Sequence, residues 1–154
     1  MLNRIFPDQL DNNYRGHWLA PWLLGLVMAV KAMQGVQSII NTRDVLTTAD
    51  GISLAGFTPS SVDVIVALFA LLGLYLLVLP LQSIVVLLRY RTMVPLMFLL
   101  LLLVNLASRV LALMNPIVRA HGQPIGSYVN LAILAVTLLG FVLSLLAQPK
   151  ASTA

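Results

Sequence analysis

The 154-residue chain contains no cysteine and no glutamate, and only 9% of its residues are charged. Without cysteine it can form no disulfide, thiolate metal site, iron–sulfur cluster or cysteine nucleophile. Hydrophobic residues make up 60% of the chain, and its mean hydropathy is +0.97. A water-soluble globule is excluded because such proteins carry about 25% charged residues. A disordered chain is excluded because disorder requires low hydrophobicity. The composition is that of a membrane protein.

The small charge of the chain is positive, with a formal net value of +4. The basic residues are scattered along hydrophobic segments and form no cluster of four or more. Such scattering is typical of residues that set membrane topology rather than of a surface for nucleic acid. We therefore expect membrane lipids, and no nucleic acid, among the partners of this chain.

Four stretches are long and apolar enough for spanning helices, which need about 20 residues. They cover approximately residues 17–40, 61–88, 93–114 and 127–147. Residues 41–60 between the first two are expected to form a polar loop with turns at Asp50-Gly51 and Pro59. None shows the strict alternation of a membrane strand, so helices are expected. Pro80 predicts a kink in the second stretch because it lacks a backbone N–H. The sequence predicts an all-α membrane protein, with residues 1–154 forming one domain of four transmembrane helices in an up-down-up-down bundle.

The first apolar stretch also has features of a signal peptide, since two arginines precede it and residues 30–32 loosely resemble a cleavage site. The long polar leading segment and the lysine within that triplet favour a membrane helix instead. Residues 1–16 are then a short cytoplasmic segment.

The distribution of Lys and Arg among the short loops predicts the orientation of the bundle. The side of the two termini carries the larger number, and the opposite side carries fewer. We therefore expect both termini in the cytoplasm and the protein in the bacterial inner membrane. The first side holds Arg4, Arg15, Arg89, Arg91 and Lys150, and the second holds Arg43 and Arg119.

The first span is marginal by itself, because Lys31 near its middle costs about 3 kcal/mol and its glutamines cost more. Helical spacing places these polar residues on one face. Counting residues from the ends of the spans puts further polar residues in the same, outer half of the bilayer. We call this set the polar cluster. It comprises Lys31, Gln34, Gln37, Asp63, Asn105, Arg109 and Asn130.

Ionisable residues inside a membrane are candidates for a functional site and need a partner. The hypothesis from the sequence is that Asp63 pairs with Arg109 or Lys31 and lines an outward-facing polar crevice. The alternative is a structural ion pair that fixes the helix register while the second cation reaches the headgroups.

Other features favour structural roles. Asn130, Thr137 and Ser144 recur every seven residues near Gly140, which is typical of a seam where helices pack closely. His17 falls at an interface and His121 in a loop, so we expect no bound metal and no cofactor. The sequence shows no serine–histidine pair, phosphate-binding glycine loop or carboxylate pair, and we assign no catalytic residue.

Several short motifs carry a resemblance to known proteins. Residues 11–16 (Asp-Asn-Asn-Tyr-Arg-Gly) precede Trp18 and Trp22, and residues 41–44 (Asn-Thr-Arg-Asp) and 49–51 (Ala-Asp-Gly) follow. Together they resemble a family of short four-helix bacterial membrane proteins of unassigned activity. The resemblance covers most of the chain, implies a four-helix fold and transfers no functional residue. The size and span count are also similar to those of DoxX-like small membrane proteins, an analogy of fold alone.

The expected function is non-catalytic. We expect an accessory or assembly subunit of a larger membrane complex, such as a bioenergetic one, or a homo-oligomer, with other membrane subunits or copies of itself as partners. One alternative is a small oligomeric transporter or channel that uses Asp63, Lys31 and Arg109. A further alternative is a membrane enzyme that handles a lipid or quinone.

Overall fold

A computed structural model describes residues 2–116 and 124–146, so Arg119, His121 and Lys150 lie outside the described residues. The elements in the described part are all helical. A π-helical turn, Val45–Ala49, follows α3, and a 3₁₀ turn, Arg91–Met93, precedes α6. The α-helices are α1 (Leu2–Ile5), α2 (Leu19–Ile40), α3 (Thr42–Asp44), α4 (Pro59–Leu76), α5 (Val78–Arg89), α6 (Val94–Met114) and α7 (Ile125–Leu145).

Within residues 2–116 and 124–146, four segments are long and apolar enough to cross a membrane, which confirms the number of predicted spans. They are Leu19–Ile40, Pro59–Arg89, Arg91–Met114 and Ile125–Leu145. Their ends differ from the predicted ends by at most two residues. Most of their large apolar side chains are exposed, as Leu68, Leu88 and Leu113 illustrate. This is the architecture of a multi-pass membrane protein, whose apolar surface faces lipid.

The second span is broken into α4 and α5 at Leu77. Pro80 has no N–H to donate to the carbonyl of Leu76, one turn earlier, so the regular hydrogen-bond ladder cannot continue there. The Leu77 N–H bonds instead to the Leu74 carbonyl at 3.1 Å. The span is therefore interrupted close to the proline at which a kink is predicted. At the other end of this span, Thr58 caps α4 by accepting a hydrogen bond from the Ser61 N–H.

Helix α2 lies at the centre of the bundle and contacts α4, α5, α6 and α7. Its buried face packs against α5, α6 and α7 in one hydrophobic core. That core includes Ala20, Leu24, Val27, Met28, Val86, Met97, Phe98, Leu101 and Ile133. The span with the lowest hydropathy is thus the one with the most helical neighbours.

Small residues allow two close helix crossings. A Cβ added to Gly140 would collide with the ring of Phe98, so α7 approaches α6 closely at this point. Thr137 and Ser144 on the same face of α7 are 0% and 1% exposed, which confirms their predicted role in a packing seam. Gly35 of α2 meets Gly73 of α4, where an added Cβ would lie 3.0 Å from the Gly73 carbonyl oxygen.

The segment before α2 folds onto one end of the bundle, which we call the amino-terminal end. The Arg4 guanidinium donates to the Leu145 carbonyl at 2.6 Å, and the His17 N–H donates to the Leu143 carbonyl at 3.1 Å. Asp11 and Thr92 join this segment to the start of α6 through hydrogen bonds in both directions. The first two contacts supply donors to carbonyls in the last turn of α7, where helical partners run out.

The segment after α2 covers the opposite end, which we call the loop end. Residues 41–60 were expected to be a polar loop, but they contain α3 and the π-helical turn. Leu46 of that turn is completely buried. The predicted turn at Gly51 is present, and φ is +67° there, a conformation that glycine adopts without strain.

Candidate functional site

A cavity of about 670 Å³ lies at the loop end between the spanning helices. Its polar lining comes from α2, α6, α7 and the segment after α2, and it includes six of the seven residues of the polar cluster. We call it the polar cavity. The six residues are Lys31, Gln34, Gln37, Asn105, Arg109 and Asn130.

Lys31 and Arg109 are the two cations that line the polar cavity. The Lys31 ammonium is half-buried and donates a hydrogen bond to Asn130 Oδ1 at 3.3 Å. Among the described residues, neither cation forms an ion pair, and the ion pair found there involves other residues. A charge without a counter-ion costs free energy in a low-dielectric environment, so this arrangement favours an anion in the cavity.

Several other polar side chains of the cavity are already engaged with neighbouring residues. The Asn105 amide donates to the Leu101 carbonyl at 2.8 Å, and the Ser108 hydroxyl donates to the Val104 carbonyl at 2.8 Å. The Gln37 side-chain oxygen accepts a bond from the Asn41 amide at 2.7 Å. The cations and the amides of Gln34 and Asn130 therefore retain donors for a bound molecule.

One wall of the polar cavity is apolar. Phe69, Leu72 and Leu76 of α4 line it at i, i+3 and i+7, which is one stripe of a helix. Helix α4 packs extensively on α2, whereas α6 packs mainly on α7. Within the described ranges, α4 and α6 are not among the helix pairs in extensive contact. The apolar wall of α4 therefore faces the polar side chains of α6 across the cavity.

The segment after α2 contributes acidic residues to the cavity. Asp44 and Asp50 line it at the loop end, and a Cβ added to Gly126 would lie 2.8 Å from the Ala49 carbonyl oxygen. The π-helical turn thus packs directly on the first turn of α7. Sequence reasoning missed these acids because they lie in a predicted loop. It missed the α4 wall because that stripe has the composition of a lipid-facing surface.

Asp63 does not lie in the polar cavity, and this corrects the hypothesis that it pairs with Arg109 or Lys31. Its carboxylate accepts a bond from the Arg43 guanidinium at 3.0 Å. The Arg43 and Asp63 side chains are 66% and 72% exposed. The reason is that α3 continues the chain beyond α2 and brings Arg43 level with the first turns of α4. The pair is an exposed ion pair at the loop end.

A second cavity, of about 730 Å³, lies at the amino-terminal end. Its lining comes mainly from the segment before α2 and includes Arg4, Asp11 and Arg15. Tyr14 also faces it, and the buried Tyr14 hydroxyl has no hydrogen-bond partner in the described structure. Burial raises the pKa of the Tyr14 phenol well above its ordinary value of 10.0, and the nearby Arg4 charge opposes this only partly.

The described residues contain no group of three or more His, Cys, Asp or Glu side chains that could hold a metal ion. His17 accepts a hydrogen bond from the Leu19 N–H at 3.3 Å and stacks against Trp18. It therefore belongs to the entry of α2.

Comparisons of the chain with protein-family models, with curated proteins and with solved structures gave no match.

Proposed function

We propose that this chain is a non-catalytic integral membrane protein that acts by association. In this proposal it is an accessory or assembly subunit of a larger membrane complex, or a homo-oligomer, and the polar cavity holds the associated molecule. The observation that carries the proposal is the pair of cations, Lys31 and Arg109, that line a cavity among spanning helices. Charged groups at such depth need cover from hydrocarbon, and the chain's own helices leave a volume of about 670 Å³ there.

The amide and guanidinium side chains of the cavity are suited to binding rather than to proton transfer. Amides and guanidinium groups do not change protonation near neutral pH, whereas general acid–base catalysis requires a group that does. The groups contributed by Gln34, Asn130 and Arg109 donate and accept hydrogen bonds in fixed protonation states. They are suited to holding a molecule in place.

The apolar wall of α4 favours a second candidate, a protein that handles a lipid or quinone. Such a molecule has a polar head and a hydrocarbon tail, and the cavity offers both kinds of surface. The transporter alternative requires Asp63, Lys31 and Arg109 on one path. The exposed Arg43–Asp63 ion pair argues against that arrangement.

Photo-crosslinking from inside the cavity tests the proposed function. A photoreactive amino acid replaces Gln34, which lines the polar cavity, or Gln82, an exposed glutamine of α5 that serves as the control. In native membranes we expect one discrete adduct from position 34 and only diffuse lipid labelling from position 82. Mass spectrometry identifies the adduct as a protein subunit, a second copy or a small molecule. Equal, diffuse labelling at both positions would contradict the proposal.

The membrane and the orientation are part of the same proposal. We propose the bacterial inner membrane, with both termini in the cytoplasm. The support is the excess of Lys and Arg on the side of the termini. Reporter enzymes active only outside the cytoplasm, fused at either terminus or inserted at Gly56 between α3 and α4, test it. Activity is expected for the insertion and not for the terminal fusions.

A further inference from the structure

The charges that line the polar cavity are arranged in order along the bundle. Asp44 and Asp50 follow the end of α2 and line the cavity at the loop end. Lys31 lies nine residues before Ile40, the last residue of α2, which is about 14 Å along the helix at about 1.5 Å per residue. The acids therefore lie near the mouth of the cavity, and this cation lies deep inside it.

The half-buried Lys31 and the more exposed Arg109 together favour a negatively charged group in the cavity. Lys31 on α2 and Arg109 on α6 line one cavity and form no ion pair within the described residues. Two like charges that share a low-dielectric site are both stabilised by one anion between them. The amide of Gln34, one turn from Lys31 on the same face, adds a neutral N–H donor.

The apolar wall favours an anion that carries a hydrocarbon tail. Phe69, Leu72 and Leu76 extend along two turns of α4 inside the cavity. A small inorganic anion would leave this surface wet, whereas a tail would bury it and gain about 25 cal/mol per Å². The volume of about 670 Å³ also lies in the range of about 300–1,000 Å³ that is usual for sites of small ligands.

The position of the acids bears on the route of entry. A free anion arriving from the aqueous side at the loop end would pass the carboxylate of Asp44, whose negative charge repels it. A molecule arriving from the membrane between α4 and α6 meets no such barrier, because these helices are not in extensive contact in the described ranges. The arrangement therefore selects amphiphiles over free anions.

We propose that the polar cavity binds an amphiphilic anion, with its oxyanion head between Lys31 and Arg109 and its hydrocarbon tail against Phe69, Leu72 and Leu76. The head is a carboxylate, as in a fatty acid, or a phosphate, as in an alkyl or isoprenyl phosphate. This inference rests on the proposed function, since it names the class of molecule that the cavity holds.

Calorimetric titration of the purified full-length chain in an uncharged detergent tests the inference. The probes are hexadecanoate, hexadecyl phosphate, hexadecanol and inorganic phosphate. At least one of the two charged amphiphiles is expected to bind about tenfold or more tightly than hexadecanol, which lacks the charge, and than inorganic phosphate, which lacks the tail. The ratio between the two charged amphiphiles identifies the head group.

Charge substitutions locate the site. Lys31→Gln and Arg109→Gln are expected to weaken binding of the tighter amphiphile about tenfold or more, and Lys31→Arg is expected to retain it. Arg91→Gln is the matched control, because Arg91 is an exposed cation at the opposite end that donates to the Leu87 carbonyl. Circular dichroism shows whether each variant is folded, and Lys31→Arg provides the folded reference.

Binding of hexadecanol as tight as that of both charged amphiphiles would overturn the inference, as would equal weakening by Arg91→Gln. The crosslinking result separates this failure from failure of the proposed function. A discrete adduct from position 34 without cation-dependent amphiphile binding leaves the proposed function standing and overturns only the ligand class. If there is neither a discrete adduct nor cation-dependent binding, both the proposed function and the ligand class are overturned.

Discussion

The two ends of the bundle carry cavities of similar size that differ in what their charged groups contact. At the amino-terminal end, Arg4 is bonded to the carbonyl of Leu145 and the lining comes mainly from a polar segment outside the spans. At the loop end, Lys31 and Arg109 belong to spanning helices and lack an ion-pair partner in the described structure. Cavity volume does not distinguish the two ends, and the informative difference is that the cations of one cavity lie within spanning helices.

The largest effect expected from this difference concerns membrane insertion of α2. Lys31→Leu removes a lysine from within the span and should favour insertion of isolated α2 by about 3 kcal/mol. A glycosylation-based insertion assay with α2 in a host protein measures the change. Arg15→Leu is the control at the amino-terminal end, because Arg15 lies outside the span. An equal effect of the two substitutions would erase the distinction between the ends.

Packing at the amino-terminal end should be sensitive to a single methyl group. A Cβ on Gly16 would collide with the Tyr14 hydroxyl and the Ser144 carbonyl oxygen, so Gly16→Ala should destabilise the protein by about 1–3 kcal/mol. Thermal unfolding in detergent measures this. Gly25→Ala is the control, because its added Cβ would meet Leu87 at an ordinary 3.7 Å. Unchanged stability of Gly16→Ala would show that this end is loosely packed.

Removal of the unpaired Tyr14 hydroxyl should have a smaller effect, and its size depends on pH. Tyr14→Phe should be neutral, or stabilising by up to about 1 kcal/mol, near pH 7. Because burial raises the folded-state pKa above 10.0, the wild-type protein should lose stability as pH rises above that value, where the unfolded chain ionises first. Tyr14→Phe should lack this part of the alkaline loss. Chemical unfolding at pH 7 and pH 11 compares them, and identical alkaline losses would refute the prediction.

The smallest effect is expected for the ion pair at the loop end. Arg43 and Asp63 are both largely exposed, and exposed pairs contribute about 0–1 kcal/mol. Asp63→Asn should therefore change the unfolding midpoint little and leave amphiphile binding unaltered. Arg43→Gln serves as the partner control. A large loss of binding in either variant would place Asp63 in the functional site after all.

The comparison also shows which parts of the structure can be predicted from the sequence. Apolar length predicts the four spans, and helical spacing predicts that Lys31 and Gln34 share a face. The seam at Thr137 and Ser144 follows from the same spacing. The length of a span and the face on which a residue lies depend only on the order of residues within one helix, so the sequence predicts them.

The partner of Asp63 could not be predicted in this way. Counting residues from the ends of spans assumed that residues 41–60 form a loop, whereas α3 carries Arg43 towards α4. The contact between Gly35 and Gly73 sets the relative level of α2 and α4. It depends on how two helices pack, which no pattern within one helix reveals. The docking of residues 2–17 on the bundle is likewise a tertiary contact.

The central position of α2 has a consequence for biogenesis. Among the four spans, α2 leaves the ribosome first, yet it is the least apolar and it contacts α7, which leaves last. Until α7 arrives, Lys31 lacks the amide of Asn130. In a nascent chain arrested before α7, α2 should therefore be unstable in the membrane. Such a chain should be an early substrate for membrane quality-control proteases.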